Sequence, residues 1–389
     1  FYGIKNNSTD LINFHSIISD MRNFLKEIRT GISSKYPVWL LISAVFVFSL
    51  VGCSVFSSLE AEGNLPTPQV AVAAATATLI PTFTPTAMLT PRFTTTPLPT
   101  ITPTPNPYAQ YSVNTPSQRS YGGGLIQIEA TLTKSNAFTR SIFKYRSEGL
   151  DLYGFVDIPT GQGPFPVVVM MHGYVDPAEY SMLDYSTRYA DALARAGYIV
   201  LHPNLRGYGA SEDGYNPVGI GDVIDILNLL SLARSQAGVP GPLEEADGEH
   251  IGIWGHSMGG GIVLHVLEID RDIDAAVLYA SINADEKINL EFFEFDGRGN
   301  FKLQSTDEVL RSLSPSTYLD RIVTPLSIHH GDADTVVPTA WSDQLCTDLA
   351  TLQKEVYCSF YEDQPHTFQN SGDTLFIQRV TAFFDQKLK

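Results

Sequence analysis

The sequence has few cysteines, no metal-binding pattern and few basic residues. Three cysteines occur in 389 residues, and no group of Cys and His has the spacing of a metal site, so we expect neither a metal nor a cofactor. Lys and Arg number 25 against 42 Asp and Glu, a formal net charge of -17. Because binding to phosphates needs clustered Lys and Arg, nucleic acid is excluded as an expected partner. The charge is typical of an acidic, solubilising surface.

The first part of the chain carries the pattern of an export signal. Residues 1–35 look dispensable, and Met21 is a reasonable start for the protein. A basic segment at 22–35 precedes an apolar run at 38–52, which is the layout of a secretory signal. We therefore expect residues 36–56 to be a signal peptide or a membrane anchor.

The apolar run ends in Leu50-Val51-Gly52-Cys53, which resembles the lipobox of bacterial lipoprotein signals. The resemblance implies cleavage before Cys53 and attachment of lipid to it. An uncleaved transmembrane helix is the alternative, because no charge occurs between Lys35 and Glu60. In both cases the remainder is expected to be exported and tethered to the outer face of a bacterial cytoplasmic membrane.

Residues 57–124 are interpreted as a linker. Within 66–107, Pro and Thr make up 23 of the 42 residues, and Arg92 is the only charge. Such sequence lacks the periodic apolar residues of a core and favours extended conformations. A semi-rigid spacer is expected, holding a catalytic domain at 125–389 away from the membrane.

The region 125–389 has the pattern of an α/β domain. Its first three strand-like runs, 126–132, 139–145 and 151–158, predict an antiparallel start to a sheet. Short buried strands then alternate with helical patterns, which predicts a mostly parallel sheet flanked by helices. Active residues are expected at the carboxyl ends of the strands. The later predicted strands are 167–171, 198–201, 251–254, 275–279, 326–329 and 356–361, and helices are predicted at 184–196, 222–233 and 257–268.

One segment, residues 281–314, breaks this alternation. It is longer than an ordinary connection and contains four phenylalanines, at 292, 293, 295 and 301. Two interpretations stay open. The segment is either an excursion packed onto the core by its aromatic rings, or a cap that shapes the acyl or leaving-group pocket.

The motif that carries chemistry directly follows the predicted strand 251–254. The stretch Gly255-His256-Ser257-Met258-Gly259 has the Gly-x-Ser-x-Gly form of a nucleophile elbow, where a strand turns sharply into a helix. A side chain at Gly255 or Gly259 would collide with the flanking strand or helix when Ser257 takes the strained conformation that exposes its oxygen. Ser257 is therefore the candidate nucleophile.

A serine hydroxyl needs a base, and the base needs an acid to orient it and to stabilise its charged form. Asp334 and His366 each lie in a loop directly after a predicted strand, where side chains from separate strands converge. Asp332 and Asp363 are nearby carboxylates and stay open as alternatives, although Asp also commonly forms turns in loops.

With these residues in the order Ser257, Asp334, His366, the chain resembles the α/β-hydrolase superfamily, and within it the catalytic domain of the prolyl oligopeptidase family and related serine esterases. The resemblance covers roughly residues 126–389 and rests on four motifs in order. They are His172-Gly173, Gly255 to Gly260, His330-Gly331-x-x-Asp334 with Val337-Pro338, and His366.

The resemblance implies an α/β-hydrolase fold and a role for each matching residue. Ser257 would be the nucleophile, His366 the general base and then acid, and Asp334 the residue that orients it. The backbone N–H groups of Met258 and Tyr174 would form the oxyanion hole. The ring of Tyr174 would form an aromatic wall, or its hydroxyl would also take part.

Several other polar residues are interpreted as structural. The histidines at 172, 256, 329 and 330 are expected to stabilise loops through ring hydrogen bonds, and Arg206 is expected to organise its loop. Cys346 and Cys358 fall on a predicted helix and the following strand. In an exported protein they could form a disulfide, and two buried thiols are the alternative.

The leading hypothesis is an exported, membrane-tethered serine hydrolase that acts on carboxylic esters through an acyl-enzyme. Esters are preferred because only linker precedes residue 125, where oligopeptidases of this type carry a propeller. In addition, the sequence shows no recognisable acidic residues that would capture a substrate amine. A peptidase acting on short peptides is the second hypothesis. A non-catalytic surface-binding protein with a hydrolase fold is the third, and the intact order of the three residues weighs against it.

Overall fold

The computed structural model describes residues 108–295 and 305–389. The expected export signal, Cys53 and the linker up to residue 107 lie outside the described residues and stay predictions. No helix in the two described ranges is long and apolar enough to cross a membrane.

Within the described residues, nine strands form one sheet in the order β1-β2-β3-β5-β4-β6-β7-β8-β9. The pairs β1/β2, β2/β3 and β3/β5 are antiparallel, and the remaining pairs are parallel. The predicted antiparallel start and mostly parallel continuation are thus confirmed. The strands are β1 (Gln127–Lys134), β2 (Phe138–Ser147), β3 (Leu150–Pro159), β4 (Phe165–Met171), β5 (Ile199–Pro203), β6 (Ala246–His256), β7 (Ala275–Tyr279), β8 (Leu326–Gly331) and β9 (Val356–Tyr361).

Helices cover both faces of this sheet. The central strand β4 alternates its side chains, so that Val167 and Val169 join the core on one face and Val168 and Met170 the core on the other. This is why the run is apolar without interruption. The helices are α1 (Thr187–Arg195), α2 (Ile220–Gln236), α3 (Met258–Ile269), α4 (Glu286–Phe295), α5 (Asp307–Leu313), α6 (Thr339–Thr351) and α7 (Asn370–Leu388).

The predicted and observed boundaries differ most at β6, which begins at Ala246 rather than at 251. Ala246 pairs with Phe165 before a register shift in the β4/β6 ladder. Asp247 still pairs with Pro166, and the shift falls between Asp247 and Ile251. The charged residues in this stretch interrupt the apolar run, so the first half of the strand gave no apolar signal. Helix α1 begins at Thr187, because residues 184–187 form a turn first.

Residues 108–124, assigned above to the linker, pack against the domain. Val113 is buried, the N–H of Gly122 donates to Asn228 Oδ1 (2.9 Å), and Ser231 Oγ donates to the carbonyl of Tyr121 (2.9 Å). These contacts are made by polar groups and a short apolar residue with no periodicity, which is why the sequence pattern did not indicate them.

A disulfide joins Cys346 in α6 to Cys358 in β9, with their Cα atoms 6.4 Å apart. The bond ties α6 to the edge strand of the sheet. Of the two states left open by the sequence, the structure contains the bonded one.

Candidate active site

The backbone turns at Ser257, between the end of β6 and the start of α3. Its φ of 54° and ψ of -116° form a strained combination for a residue with a side chain. This conformation is that of a nucleophile elbow, and it leaves the side chain at the carboxyl end of the sheet.

The two glycines of the elbow are required by close backbone contacts. A Cβ atom on Gly255 would lie 2.2 Å from the carbonyl oxygen of Gly259. One on Gly259 would lie 2.5 Å from the carbonyl oxygen of Met171, at the end of β4. The collisions expected from the motif are therefore present, and they involve main-chain atoms, one in the first turn of α3 and one at the end of β4.

Asp334 and His366 come together from the loops after β8 and β9. Asp334 Oδ2 lies 2.7 Å from His366 Nδ1, and Asp334 Oδ1 accepts from the N–H groups of Val336 (2.7 Å) and Val337 (3.0 Å). The other two carboxylates differ, since Asp332 Oδ1 accepts from the N–H of Asp363 at an exposed turn. Among the three, Asp334 is the carboxylate in contact with the histidine.

The electrostatics at Asp334 favour a permanently ionised carboxylate. Burial alone would raise its pKa, but hydrogen bonds from His330 and His366 outweigh burial and hold the pKa well below the ordinary value. His330 Nε2 lies 3.0 Å from Asp334 Oδ2, and its Nδ1 lies 2.7 Å from Ser342 Oγ. His330, expected only to stabilise a loop, therefore also orients the acid, and its spacing of four residues from Asp334 was the available signal.

A separate series of hydrogen bonds positions the backbone of His366. The N–H of Gly173 donates to the Tyr185 hydroxyl, which lies 2.8 Å from His256 Nδ1. His256 Nε2 in turn lies 3.1 Å from the carbonyl oxygen of His366. In the sequence Tyr185 falls within the helix predicted at 184–196, which gives no sign of its link between the loop after β4 and the histidine loop.

Three of the remaining histidines are buried and neutral. Burial lowers the pKa of His172 to about 4 and that of His329 to about 3, and it holds the pKa of His256 well below its ordinary value. His172 Nδ1 lies 2.8 Å from the carbonyl oxygen of Gly173, and His329 lies between Ser327 and Tyr361. His172 and His256 stabilise loops, in keeping with the interpretation made from the sequence. His329 differs, because it lies in β8 and its ring joins side chains of β8 and β9.

Arg206 organises the loop after β5. Its Nε and Nη2 atoms donate to both carboxylate oxygens of Asp225 (2.8 and 2.7 Å), and its Nη1 donates to the carbonyl of Tyr215 (2.7 Å). The guanidinium is buried and fully engaged with the protein. It therefore positions the loop rather than a substrate.

A pocket of about 350 Å³ opens beside Ser257. Met258, Tyr174 and His366 line it together with Ser257, so four of the five residues that the resemblance assigns to catalysis share one cavity. His366 has 15% of its side chain exposed, whereas Asp334 has none. The Tyr174 side chain is exposed and forms part of the wall.

Part of the wall of this pocket comes from the described part of the segment 281–314. Ile282, Glu286, Asn289, Leu290 and Phe293 line the pocket. The neighbouring Phe292 packs edge-on against Trp341 of α6, with ring centroids 4.9 Å apart. The described part of the segment thus has features of both the packed excursion and the cap. The ring of Phe292 packs on the domain, and neighbouring side chains shape the pocket.

The pocket also contains polar groups that sequence reasoning missed. Asp222, in the first turn of α2, accepts from Asn216 Nδ2 at 2.7 Å, and burial raises its pKa to about 7. His265 Nε2 lies 3.1 Å from Glu286 Oε1. Glu286 and His265 lie on different helices separated by β7, so no local pattern could have paired them.

Comparisons with known proteins agree with this geometry. The sequence model of the prolyl oligopeptidase family matches residues 184–389. The uncharacterized peptidase YuxL of Bacillus subtilis is 25% identical over 242 residues, which cover 59% of this chain and 35% of that protein. The chain therefore spans little more than a third of that curated relative.

Solved structures are also similar to this chain. Acylaminoacyl peptidase of Pyrococcus horikoshii is 25% identical with a TM-score of 0.51, over 66% of this chain and 43% of that one. Acetyl xylan esterase 1 of Thermoanaerobacterium sp. JW/SL YS485 is 17% identical with a TM-score of 0.51, over 72% of this chain and 94% of that one. The second likeness shows the fold alone.

Proposed function

Because the chain belongs to the prolyl oligopeptidase family and is a serine hydrolase, we propose that it cleaves carboxylic esters through an acyl-enzyme formed on Ser257. The observation that carries the proposal is the shared pocket of Ser257 and His366, with His366 Nδ1 2.7 Å from the buried Asp334 carboxylate. Nucleophile, base and acid come from three separate loops, and such a convergence serves acyl transfer.

In the proposed reaction, Ser257 Oγ attacks the ester carbonyl while His366 Nε2 takes the hydroxyl proton. Asp334 accepts a hydrogen bond from His366 Nδ1–H and stabilises the imidazolium. The backbone N–H groups of Met258 and Tyr174 receive the oxyanion. The C–O bond to the leaving group then breaks, and His366 returns the proton to the departing alkoxide.

The second half of the cycle releases the acid. His366 takes a proton from water, and the resulting hydroxide attacks the acyl carbonyl of the Ser257 ester. The tetrahedral intermediate collapses, Ser257 leaves with the proton from His366, and the carboxylic acid departs. Throughout, the low pKa of Asp334 keeps the acid ionised beside His366.

A peptidase acting on short peptides is the second candidate. It is favoured by the two relatives at 25% identity, both of which are described as peptidases. The same residues would act, but an amine leaves only after it is protonated, so hydrolysis would depend more strongly on His366 as general acid.

Substitution of the nucleophile tests the proposal. Ser257→Ala should lose hydrolysis of short p-nitrophenyl esters by roughly 10⁴-fold or more and should lose labelling by a fluorophosphonate, while the exposed Ser181→Ala serves as control. Labelling that persists in Ser257→Ala would refute the nucleophile. Aminoacyl p-nitroanilides cleaved faster than matched esters would favour the peptidase.

We further propose that the enzyme is exported and tethered through residues 36–56. The order of basic and apolar residues around Cys53 supports this, as does the Cys346–Cys358 disulfide, which is typical of an oxidising compartment. Mass spectrometry of membrane-extracted protein should find lipid on Cys53. An unmodified Cys53 in that fraction would leave the uncleaved anchor as the form of attachment.

A further inference from the structure

The active-site pocket follows one face of helix α3 away from the nucleophile. Met258, Gly261, Ile262 and His265 all line it, and their spacing of three, four and seven residues places them on one side of the helix. At 1.5 Å of rise per residue, His265 lies about 10 Å along the axis from Met258. The pocket therefore extends well beyond the reacting atoms.

The middle of the pocket is apolar and kept open by a glycine. Ile262, Ile282 and Leu290 line this part. A Cβ atom on Gly261 would lie 2.8 Å from the Cδ1 atom of Ile282, so any side chain there would narrow the passage. An apolar stem fits this stretch, because it gains from leaving water and leaves no polar group unpaired.

The pocket ends in three buried polar residues, His265, Glu286 and Asn289. Asn289 is committed to the backbone of Asn283, since it accepts from that N–H (2.9 Å) and donates to that carbonyl (2.9 Å). Its contact with Glu286 Oε2 is long, at 3.4 Å. Because a carboxylate oxygen accepts more than one hydrogen bond, Oε2 has capacity for a further donor.

In the described part of the chain, the pocket is lined by acidic side chains without basic ones of the Lys or Arg type. The acidic groups are the carboxyl groups of Asp222 and Glu286. Burying a carboxylate is costly unless a cation or several donors compensate it. His265 contacts only Oε1 of Glu286, so Oε2 remains the oxygen that a cationic donor in the pocket would meet.

We propose that this pocket binds a substrate group with an apolar stem and a cationic end, and that Glu286, oriented by His265, receives the cation. The inference rests on the proposed serine hydrolase function and names its substrate class. Glu286 is a specificity-determining residue in this scheme, and it takes no part in bond cleavage. The long side chains of lysine and arginine and quaternary ammonium groups have the required chemistry.

Two pairs of substrates that differ only in charge test the proposal. One pair carries the charge on the acyl side: the p-nitrophenyl esters of Nα-acetyl lysine and Nα-acetyl norleucine. The other carries it on the leaving group: butyrylcholine and 3,3-dimethylbutyl butyrate. We expect a higher kcat/KM for the cationic member of at least one pair, and Glu286→Gln should reduce that preference by about 10- to 100-fold, since hydrogen bonds to charged groups are the strong ones.

The matched control is Glu291→Gln, an exposed glutamate on the same helix. It should leave both the preference and the activity unchanged. A purely structural tie between His265 and Glu286 would lower kcat/KM for both members of a pair equally in Glu286→Gln, and that result would overturn the proposal. A wild-type preference for the neutral members would overturn it as well.

Inhibition of the wild-type enzyme covers the case in which Glu286→Gln does not fold. Hexylammonium should inhibit hydrolysis of a neutral ester at least tenfold more strongly than 1-hexanol, and equal inhibition would contradict the inference. Failure of the proposed function has a different signature. In that case no ester would be cleaved and fluorophosphonate would not react with Ser257.

Discussion

The two ends of the active-site pocket are built in different ways. The reaction end, with Ser257, Asp334 and His366, is shaped by backbone atoms at the carboxyl ends of strands. The far end, with His265 and Glu286, is closed by side chains of two helices. The reaction end therefore cannot change without moving the sheet, whereas the far end can change by exchanging side chains.

Two glycines on either side of Ser257, Gly255 and Gly261, illustrate the difference. A Cβ atom on Gly255 would lie 2.2 Å from the carbonyl oxygen of Gly259, whereas one on Gly261 would lie 2.8 Å from the Cδ1 and Cγ1 atoms of the Ile282 side chain. A main-chain oxygen is held by its neighbours, while a side chain such as that of Ile282 can rotate to another rotamer. This contrast indicates that main-chain atoms fix the geometry of the reacting groups, whereas side chains that can change rotamer determine which substrates fit.

The largest expected effect is at the acid of the reaction end. Asp334→Asn should lower kcat by roughly 10,000-fold, because an amide cannot hold His366 in the reactive tautomer or stabilise its charge. Steady-state kinetics with a short p-nitrophenyl ester measures this loss. The exposed carboxylate two residues earlier provides the matched control, and Asp332→Asn should retain the activity of the wild type. Equal losses in the two variants would mean that the loop, and not the carboxylate at Asp334, carries the effect.

The next largest effect is a difference in stability between alanine substitutions at Gly255, in the reaction end, and at Gly261, towards the far end. Gly255→Ala should lower the free energy of unfolding by about 1–3 kcal/mol or more, since the added methyl group meets backbone. Gly261→Ala should stay within about 1 kcal/mol of the wild type, because alanine favours the helix and Ile282 can shift. Relative to the wild type, Gly261→Ala should instead lower kcat/KM for long acyl esters roughly tenfold more than kcat/KM for acetyl esters.

Chemical denaturation and a series of p-nitrophenyl esters from acetyl to octanoyl measure both effects. Gly124→Ala is the control for stability, since a Cβ atom there meets no other atom within 4 Å. If Gly261→Ala proves as destabilising as Gly255→Ala, the far end is as rigid as the reaction end and the contrast between them is wrong.

The smallest expected effect is the pH dependence contributed by a buried histidine of the reaction end. His172 has its pKa lowered to about 4 by burial, from an ordinary 6.5. Unfolding below pH 6.5 therefore takes up a proton, so the stability contributed by the neutral ring is present above pH 6.5 and is lost as the pH falls towards 4. His172→Gln should reduce the slope of unfolding free energy in this window by at most about 1.4 kcal/mol per pH unit.

An exposed histidine gives a control of opposite sign. The pKa of His250 is raised by its hydrogen bond to Asp247, so its contribution is present at low pH and is lost as the pH rises through the folded pKa. His250→Gln should make the decline towards low pH slightly steeper. Urea titrations at pH 7 and pH 4.5 compare the variants, and an unchanged slope in His172→Gln would show that the ring is not neutral in the folded protein.

Much of the fold was predictable because its signals are local. The alternation of buried strands and helices indicated the parallel sheet, and β7 and β9 begin and end where their apolar runs do. The start of β6 was missed because charged residues interrupt its apolar run. Packing of residues 108–124 was missed because it depends on partners such as Asn228, which lies more than 100 residues away.

The sequence by itself determined the elbow, because the Gly-x-Ser-x-Gly pattern is local and the collision that requires Gly255 arises within it. It also determined the order of Ser257, Asp334 and His366. Only the tertiary structure decided which carboxylate meets His366, since this depends on how the loops after β8 and β9 pack. Only the tertiary structure joined His265 to Glu286, because contacts between two helices separated by a strand depend on the whole fold and leave no periodic pattern in the sequence.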